Sequence, residues 1–141
     1  MEISKALGKG ATISFRGKDY ELAPLTFGMQ AKFEHFLKQR AINFVKEMRD
    51  NYSDEEYRAQ LSDIRDKGAA GMYSFGGQVC QDAFKSLPGL KEILRLSLQK
   101  NYPAEVTHEF IDALVEEKLQ EVQEKIGDVN SDPFTKGETT P

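Results

Sequence analysis

The sequence predicts a mainly α-helical single domain of about five helices, opened by a short β-hairpin and closed by a disordered tail. Three observations carry this. Apolar residues recur every three or four positions through most of the stretch from Phe27 to Ile126, which is the helical period. Two short alternating runs flank Arg16-Gly17-Lys18 near the start, the pattern of a hairpin. From Asp128 to Pro141 the chain is rich in Asp, Ser, Thr, Gly and Pro, with Val129 and Phe134 as its large apolar residues; such a segment has little to bury. The expected division is a flexible N-terminus at 1–10, a helical domain at 11–127 and the tail at 128–141.

The balance of the chain fits a globular domain. Its 141 residues include 30 % charged and 39 % hydrophobic side chains, enough for a core without staples. The formal net charge of −4 argues against a protein that coats phosphate backbones, so no nucleic-acid partner is expected. Cys80 is the only cysteine, so no internal disulfide forms and a reducing compartment fits. No apolar signal core opens the chain, and no run approaches the roughly 18 apolar residues of a membrane span. A soluble, cytosolic protein is the expectation.

The elements follow in order. Ile13, Phe15, Tyr20 and Leu22 are the apolar residues of the hairpin, with Gly17 in its turn. An isolated hairpin is marginal in water, so it should lie against a helix or pair with another chain. A long helix then runs from about Phe27 to Arg49. Met29, Phe33, Phe36, Leu37, Ala41, Phe44, Val45 and Met48 share one side of it, a broader arc than an ordinary surface helix shows. Arg40 projects into the arc, so it must snorkel or find a carboxylate. Ser53 and Glu56 form a capping box for a second helix, which carries Tyr57, Leu61 and Ile64 and ends at Gly68. A third helix from Met72 to Leu87 should kink or pack closely at Gly76-Gly77, and Leu87 should leave it before Pro88. A fourth puts Leu90, Ile93, Leu94 and Leu98 inward, with Leu96 off that stripe. Asn101-Tyr102-Pro103 stops it. Thr107 caps the fifth, Val106 can staple onto Ile111, and Gly127 should end it. Six Asp/Glu against two Lys from His108 to Lys125 give this helix a formal −4.

Residue chemistry points away from catalysis. Cys80 sits on an apolar face, where a buried thiol is the ordinary reading. His35 and His108 fall at surface positions, and no Cys/His cluster has zinc-ligand spacing. Gly8-Lys9-Gly10 and Gly76-Gly77 lack phosphate-loop spacing. Glu55-Glu56 and Glu116-Glu117 are adjacent pairs, which diverge on a helix. Lys91, Arg95 and Lys100 make a weak basic group in an acidic chain. No catalytic residue, cofactor or metal is expected. Protein binding is the class that remains, with Phe36 and Val45 at the edges of the long arc, Leu96 off its stripe, and Phe110 as the candidate contact residues.

Three blocks resemble a known family. SFRGKDYELAPLTFGMQAKFE (Ser14–Glu34) resembles the opening of small tail assembly chaperones from long-tailed, lambda-like bacteriophages: a hairpin, a Leu-x-Pro-Leu-Thr element, then a helix. YSDEEYRAQLSDI (Tyr52–Ile64) resembles their second helix. LKEILRLSLQKNYPAEVTHEFIDALVEE (Leu90–Glu117) resembles their late segment, an apolar helix, a break, and Glu-Val-Thr opening the last helix. These are patterns of helix and cap, with no reactive residue among them.

The resemblance implies a mainly helical, non-enzymatic helper made in the host cytoplasm and absent from the mature virion. It implies binding to the tape-measure protein, which the helper keeps soluble, and promotion of tail-tube assembly around it. A homo-oligomer fits such a role. The family often makes a longer form by ribosomal frameshift, which the resemblance would place at Asp128–Pro141. A structural head–tail connector or tail-completion protein is the alternative within the virion.

Overall fold

The computed structural model describes residues 11–130, and the side chains of residues 11–127. Among the described residues are two strands and five α-helices, in agreement with the mainly helical class. β1 spans Thr12–Phe15 and β2 Lys18–Glu21. The helices are α1 (Phe27–Glu47), α2 (Asp54–Ala69), α3 (Gln78–Phe84), α4 (Leu87–Gln99) and α5 (His108–Asn130), with a single 3-10 turn at Arg49–Asn51. Contacts group the chain into two compact units, one of residues 11–26 with 90–130, the other of residues 27–89.

In the first unit, β1 and β2 pair antiparallel, with Phe15 opposite Lys18 and Ile13 opposite Tyr20. Arg16 and Gly17 fill the turn at φ 51° and 82°. Two positive φ values make a type I′ connection, whose twist matches the strands. Arginine is an unusual tenant of the first position, where a Cβ crowds the backbone. Its guanidinium lies 4.7 Å from the Phe15 ring centroid and 2.6 Å from a Glu117 carboxylate oxygen on α5. Those contacts hold the side chain that the turn itself disfavours.

Helix α4 is enclosed on nearly every side: Leu90, Ile93, Leu94, Leu96, Ser97 and Leu98 are all buried. Ser97 is a buried polar residue with its hydrogen bonds made. Its hydroxyl donates to the Ala23 carbonyl at 2.6 Å, and the Ala23 N–H donates to the Ser97 carbonyl at 3.2 Å. This double tie fixes the segment after β2 to the helix. Helix α5 starts as expected, its Phe110 N–H donating to the Thr107 hydroxyl at 3.1 Å. The helix does not stop at Gly127 but continues to Asn130, so the first residues assigned to a disordered tail are helical. Gly127 has a negative φ, so it supplies no left-handed cap. Lys118, at φ −130° and ψ 33°, breaks the helical geometry of α5. The expected flexible lead-in at 1–10 and the rest of the tail lie outside the described residues.

The second unit is built on α1. Phe33 is fully buried, stacked on Phe36 at 5.5 Å and meeting Phe84 at 5.5 Å and Phe75 at 6.1 Å between ring centroids. Glu34 accepts a hydrogen bond from the Phe75 N–H at 2.7 Å. The capping box of α2 is complete: Glu56 N–H donates to the Ser53 hydroxyl at 3.1 Å, and Ser53 N–H to the Glu56 carboxylate at 2.8 Å. Residues 71–77 depart from the expected third helix. Gly71 and Gly76 have φ of 82° and 88°, which no right-handed helix continues through, so Met72 sits in a turn and α3 starts only after Gly77.

Leu87 also departs from expectation, since α4 begins with it and contains Pro88 in its first turn. A first-turn N–H has no intrahelical acceptor, so a proline there gives up nothing. Ser86 caps this start, its hydroxyl accepting from Gly89 N–H at 3.2 Å. Gly89 is required by space: a Cβ there would lie 2.1 Å from the Ala83 carbonyl oxygen.

Candidate functional site

The residues put forward for protein contact fall in four different settings. Val45 is 5 % exposed and Leu96 3 % exposed, so neither offers a free surface. The reasons differ. Leu96 lies on a helix whose open strip is the polar one of Lys91, Glu92, Arg95 and Gln99, so leaving the Leu90–Leu98 stripe on the other side means entering packed surroundings. Val45 ends the row Phe33, Leu37, Ala41, Val45, and all of these except half-buried Ala41 are buried. That row follows the i±4 ridge of the helix, which drifts around its axis.

Phe110 is half-buried, with its ring edge-on to Phe15 at 5.6 Å and Tyr20 at 5.2 Å. It helps hold the hairpin to α5. Phe36 is half-buried as well. One side of its ring stacks on Phe33, and the residue also lines a depression on the outside of α1.

That depression is a shallow, mixed surface of the second unit in which two aromatic rings lie among polar side chains. It has a volume of about 400 Å³ and is lined by Phe36, Gln39, Arg40, Asn43, Phe44 and Glu47, all from α1. Phe44 is 59 % exposed. On a straight helical wheel it lies between Phe33 and Leu37, which predicts burial. Because the buried row drifts with the i±4 ridge, it has moved away from Phe44 by the last turns of the helix. The side chains at 36, 40 and 44 form a parallel ridge facing out, flanked by 39, 43 and 47. Sequence reasoning placed Phe44 on the broad apolar arc of the long helix and did not single it out as a contact residue. The signal available was the accompanying polar set, Gln39, Arg40, Asn43 and Glu47, at positions a buried face would not tolerate.

The polar members of this surface are lightly engaged. Arg40 has no carboxylate partner among the described residues; it is exposed, and its guanidinium reaches the Ser86 hydroxyl at 3.4 Å, a long contact. The exposed Glu47 carboxylate has no hydrogen bond or ion pair among the described residues. The surface thus combines two rings, Phe36 and Phe44, with one basic, one acidic and two amide side chains.

A second cluster sits at the hairpin. Tyr20 hydroxyl and Lys18 ammonium both donate to Glu105, at 3.0 Å and 2.7 Å. The Glu21 N–H donates to the Tyr102 hydroxyl at 2.9 Å, and the Tyr20 and Tyr102 rings meet edge-on at 5.0 Å. Lys18, with Tyr20 adding a second bond, holds the Glu105 carboxyl below its usual value, while Glu105 holds Lys18 above its own. Burial pushes the Tyr20 phenol up. Every polar group here is matched to another within the cluster, which makes it a clamp for the hairpin.

The remaining candidates take ordinary places. Cys80 is fully buried, and burial pushes its thiol up, away from the nucleophilic thiolate. His35 and His108 are exposed. Lys91 pairs with Asp112 at 3.0 Å and Arg95 with Glu92 at 2.5 Å, so two members of the basic group already have carboxylates. No group of His, Cys, Asp and Glu among the described residues has a metal-binding arrangement, and no described helix is long and apolar enough to cross a membrane. Comparison with known proteins finds no matching family model, no matching curated protein and no matching solved structure.

Proposed function

We propose that this chain is a helix-binding protein without catalytic activity, acting as a tail assembly chaperone of a long-tailed phage. It covers amphipathic helices of a tape-measure protein in the host cytoplasm, keeps them soluble, and gives them up as tail-tube subunits polymerise. The observation that carries this reading is the outer face of α1, where Phe44 stands exposed beside half-buried Phe36 between polar residues that could flank a bound helix. The likeness of three sequence blocks to such chaperones supports it independently. A tape-measure chain presents long amphipathic helices that aggregate when bare, and a shallow apolar face of modest affinity suits a partner that must later be released.

Co-expression with the tape-measure protein tests it. Phe44→Ser should leave circular dichroism and melting close to those of the parent, because the side chain is mostly in water. The same change should lower the soluble tape-measure protein severalfold. Phe36 is the poorer probe, since its ring also belongs to the Phe33 cluster. Unchanged solubility with Phe44→Ser removes α1 from the interface. Finding the chain in fixed stoichiometry in purified particles would replace the chaperone reading with a structural one.

A further inference from the structure

The charged residues that flank the α1 depression are arranged so that the face complements itself. Arg40 and Glu47 are seven residues apart, two helical turns, and so stand almost directly above one another on the helix. Asn43 and Phe44 lie midway between them. Lay a second α1 across the first in antiparallel fashion, with a two-fold axis passing between positions 43 and 44. Arg40 of each helix then faces Glu47 of the other, and the two Phe44 rings meet at the axis. Both charges lie on the exposed side of α1, Arg40 held by one long contact and Glu47 by none among the described residues.

We propose that in the free protein this face is closed by a second copy of the chain, through an isologous antiparallel α1 pair. The proposal rests on reading the face as a helix-docking surface, and it names what occupies that surface before any other helix arrives. The fit is a matter of sign and spacing. A two-fold interface requires each patch to complement itself, and a basic and an acidic residue placed symmetrically about an apolar centre satisfy that twice over. A contact made mainly by one 21-residue helix falls in the small, weak class of interfaces. The pair therefore opens at low concentration, and a foreign amphipathic helix competes for the same ridge. Self-association then shields Phe44 from water without blocking it permanently.

Sedimentation velocity on the purified full chain, over a concentration series, measures this directly. The wild type should move from monomer to dimer as concentration rises. Arg40→Glu and Glu47→Arg should each weaken dimerisation by about tenfold or more, because each places like charges opposite one another at two symmetric points. Mixing these two variants should restore association as a heterodimer, since one then brings two acids to the seam and the other two bases. The double variant Arg40→Glu/Glu47→Arg should dimerise like the wild type. Phe44→Ser should weaken every pairing, and circular dichroism checks that each variant folds.

A wild type that stays monomeric throughout the series overturns the proposal, as do swap variants that dimerise normally, or a mixture that fails to recover. The two readings of this face separate cleanly. A monomer that still solubilises a co-expressed tape-measure protein removes only the self-pairing. A charge-sensitive dimer that leaves that protein insoluble removes only the chaperone role.

Discussion

The two compact units use their side chains in opposite directions. In the unit of residues 11–26 and 90–130, polar groups reach across long stretches of sequence to other parts of the same unit. Arg16 meets Glu117, Lys18 and Tyr20 meet Glu105, Tyr102 meets the backbone of Glu21, and Ser97 meets Ala23. In residues 27–89 most side-chain hydrogen bonds close within five residues; Glu34 to the Phe75 N–H is the principal exception. The apolar residues show the converse. Phe27, Phe44, Met72 and Leu87 are exposed in the second unit, against Leu119 in the first. One unit spends its chemistry inward on holding a hairpin to helices. The other leaves aromatic and aliphatic surface facing out, which is where a partner gains most from covering it.

Phe33→Ala should be the costliest, roughly 3–5 kcal/mol by denaturant unfolding, because it removes the ring on which Phe36, Phe75 and Phe84 converge. A loss near zero would mean that the second unit lacks a core of its own. Gly89→Ala should come next, at about 3 kcal/mol, since backbone must shift where the added carbon meets Ala83. A neutral result would show that the start of α4 is looser than its contacts imply. Thr107→Ala should cost about 1 kcal/mol through the lost cap of α5, measured as a lowered melting temperature.

The smallest effect is one of pH, at the exposed clamp of the hairpin. Glu105 is held below its usual value, so its contribution is present above the unfolded carboxyl value and is lost as pH falls through the folded one. Lys18 is raised, so its contribution is present below the unfolded lysine value and is lost as pH rises through the folded one. Hairpin docking should hold across the interval between and loosen first on the acid side. Chemical shifts of the Tyr20 and Phe110 rings would report it, and Glu105→Gln should flatten the acid limb. An acid limb unchanged by that substitution would show that the clamp does not depend on the carboxylate.

Features settled within a few residues were legible in the sequence. The hairpin turn, the Ser53–Glu56 box and the Thr107 cap each depend on side chains that meet their own backbone neighbours, and each lies where the sequence puts it. The burial of Phe33, Leu37 and Cys80 was legible too, from spacing and residue type. What escaped was whatever a neighbouring element decides. Phe44 and Val45 are adjacent residues on the same predicted arc, yet one is in water and the other is buried, because the packed row drifts along α1. Leu96 points off the Leu90–Leu98 stripe, but the open strip of α4 is the polar one of Lys91, Glu92, Arg95 and Gln99, and Leu96 is not on it. Ser86 was not legible as a cap because a proline fits both beyond a helix end and in a first turn, and only the packing of α4 decides for the second. Of the candidate docking face, Phe36 was found and the exposed ring two turns further on was not.

The first unit is discontinuous in sequence, and this sets an order of events during synthesis. The hairpin leaves the ribosome early, but Phe110, Glu105, Tyr102 and Ser97, which hold it, are made only after residues 27–89 have been made. Until then Phe15 lacks the Phe110 ring that it meets in the folded unit, and two strands alone are marginal. Residues 27–89 are contiguous and can assemble while the hairpin waits. The part of the nascent chain that first takes shape is thus the part bearing the exposed ring of Phe44, and the frame that clamps the hairpin closes last.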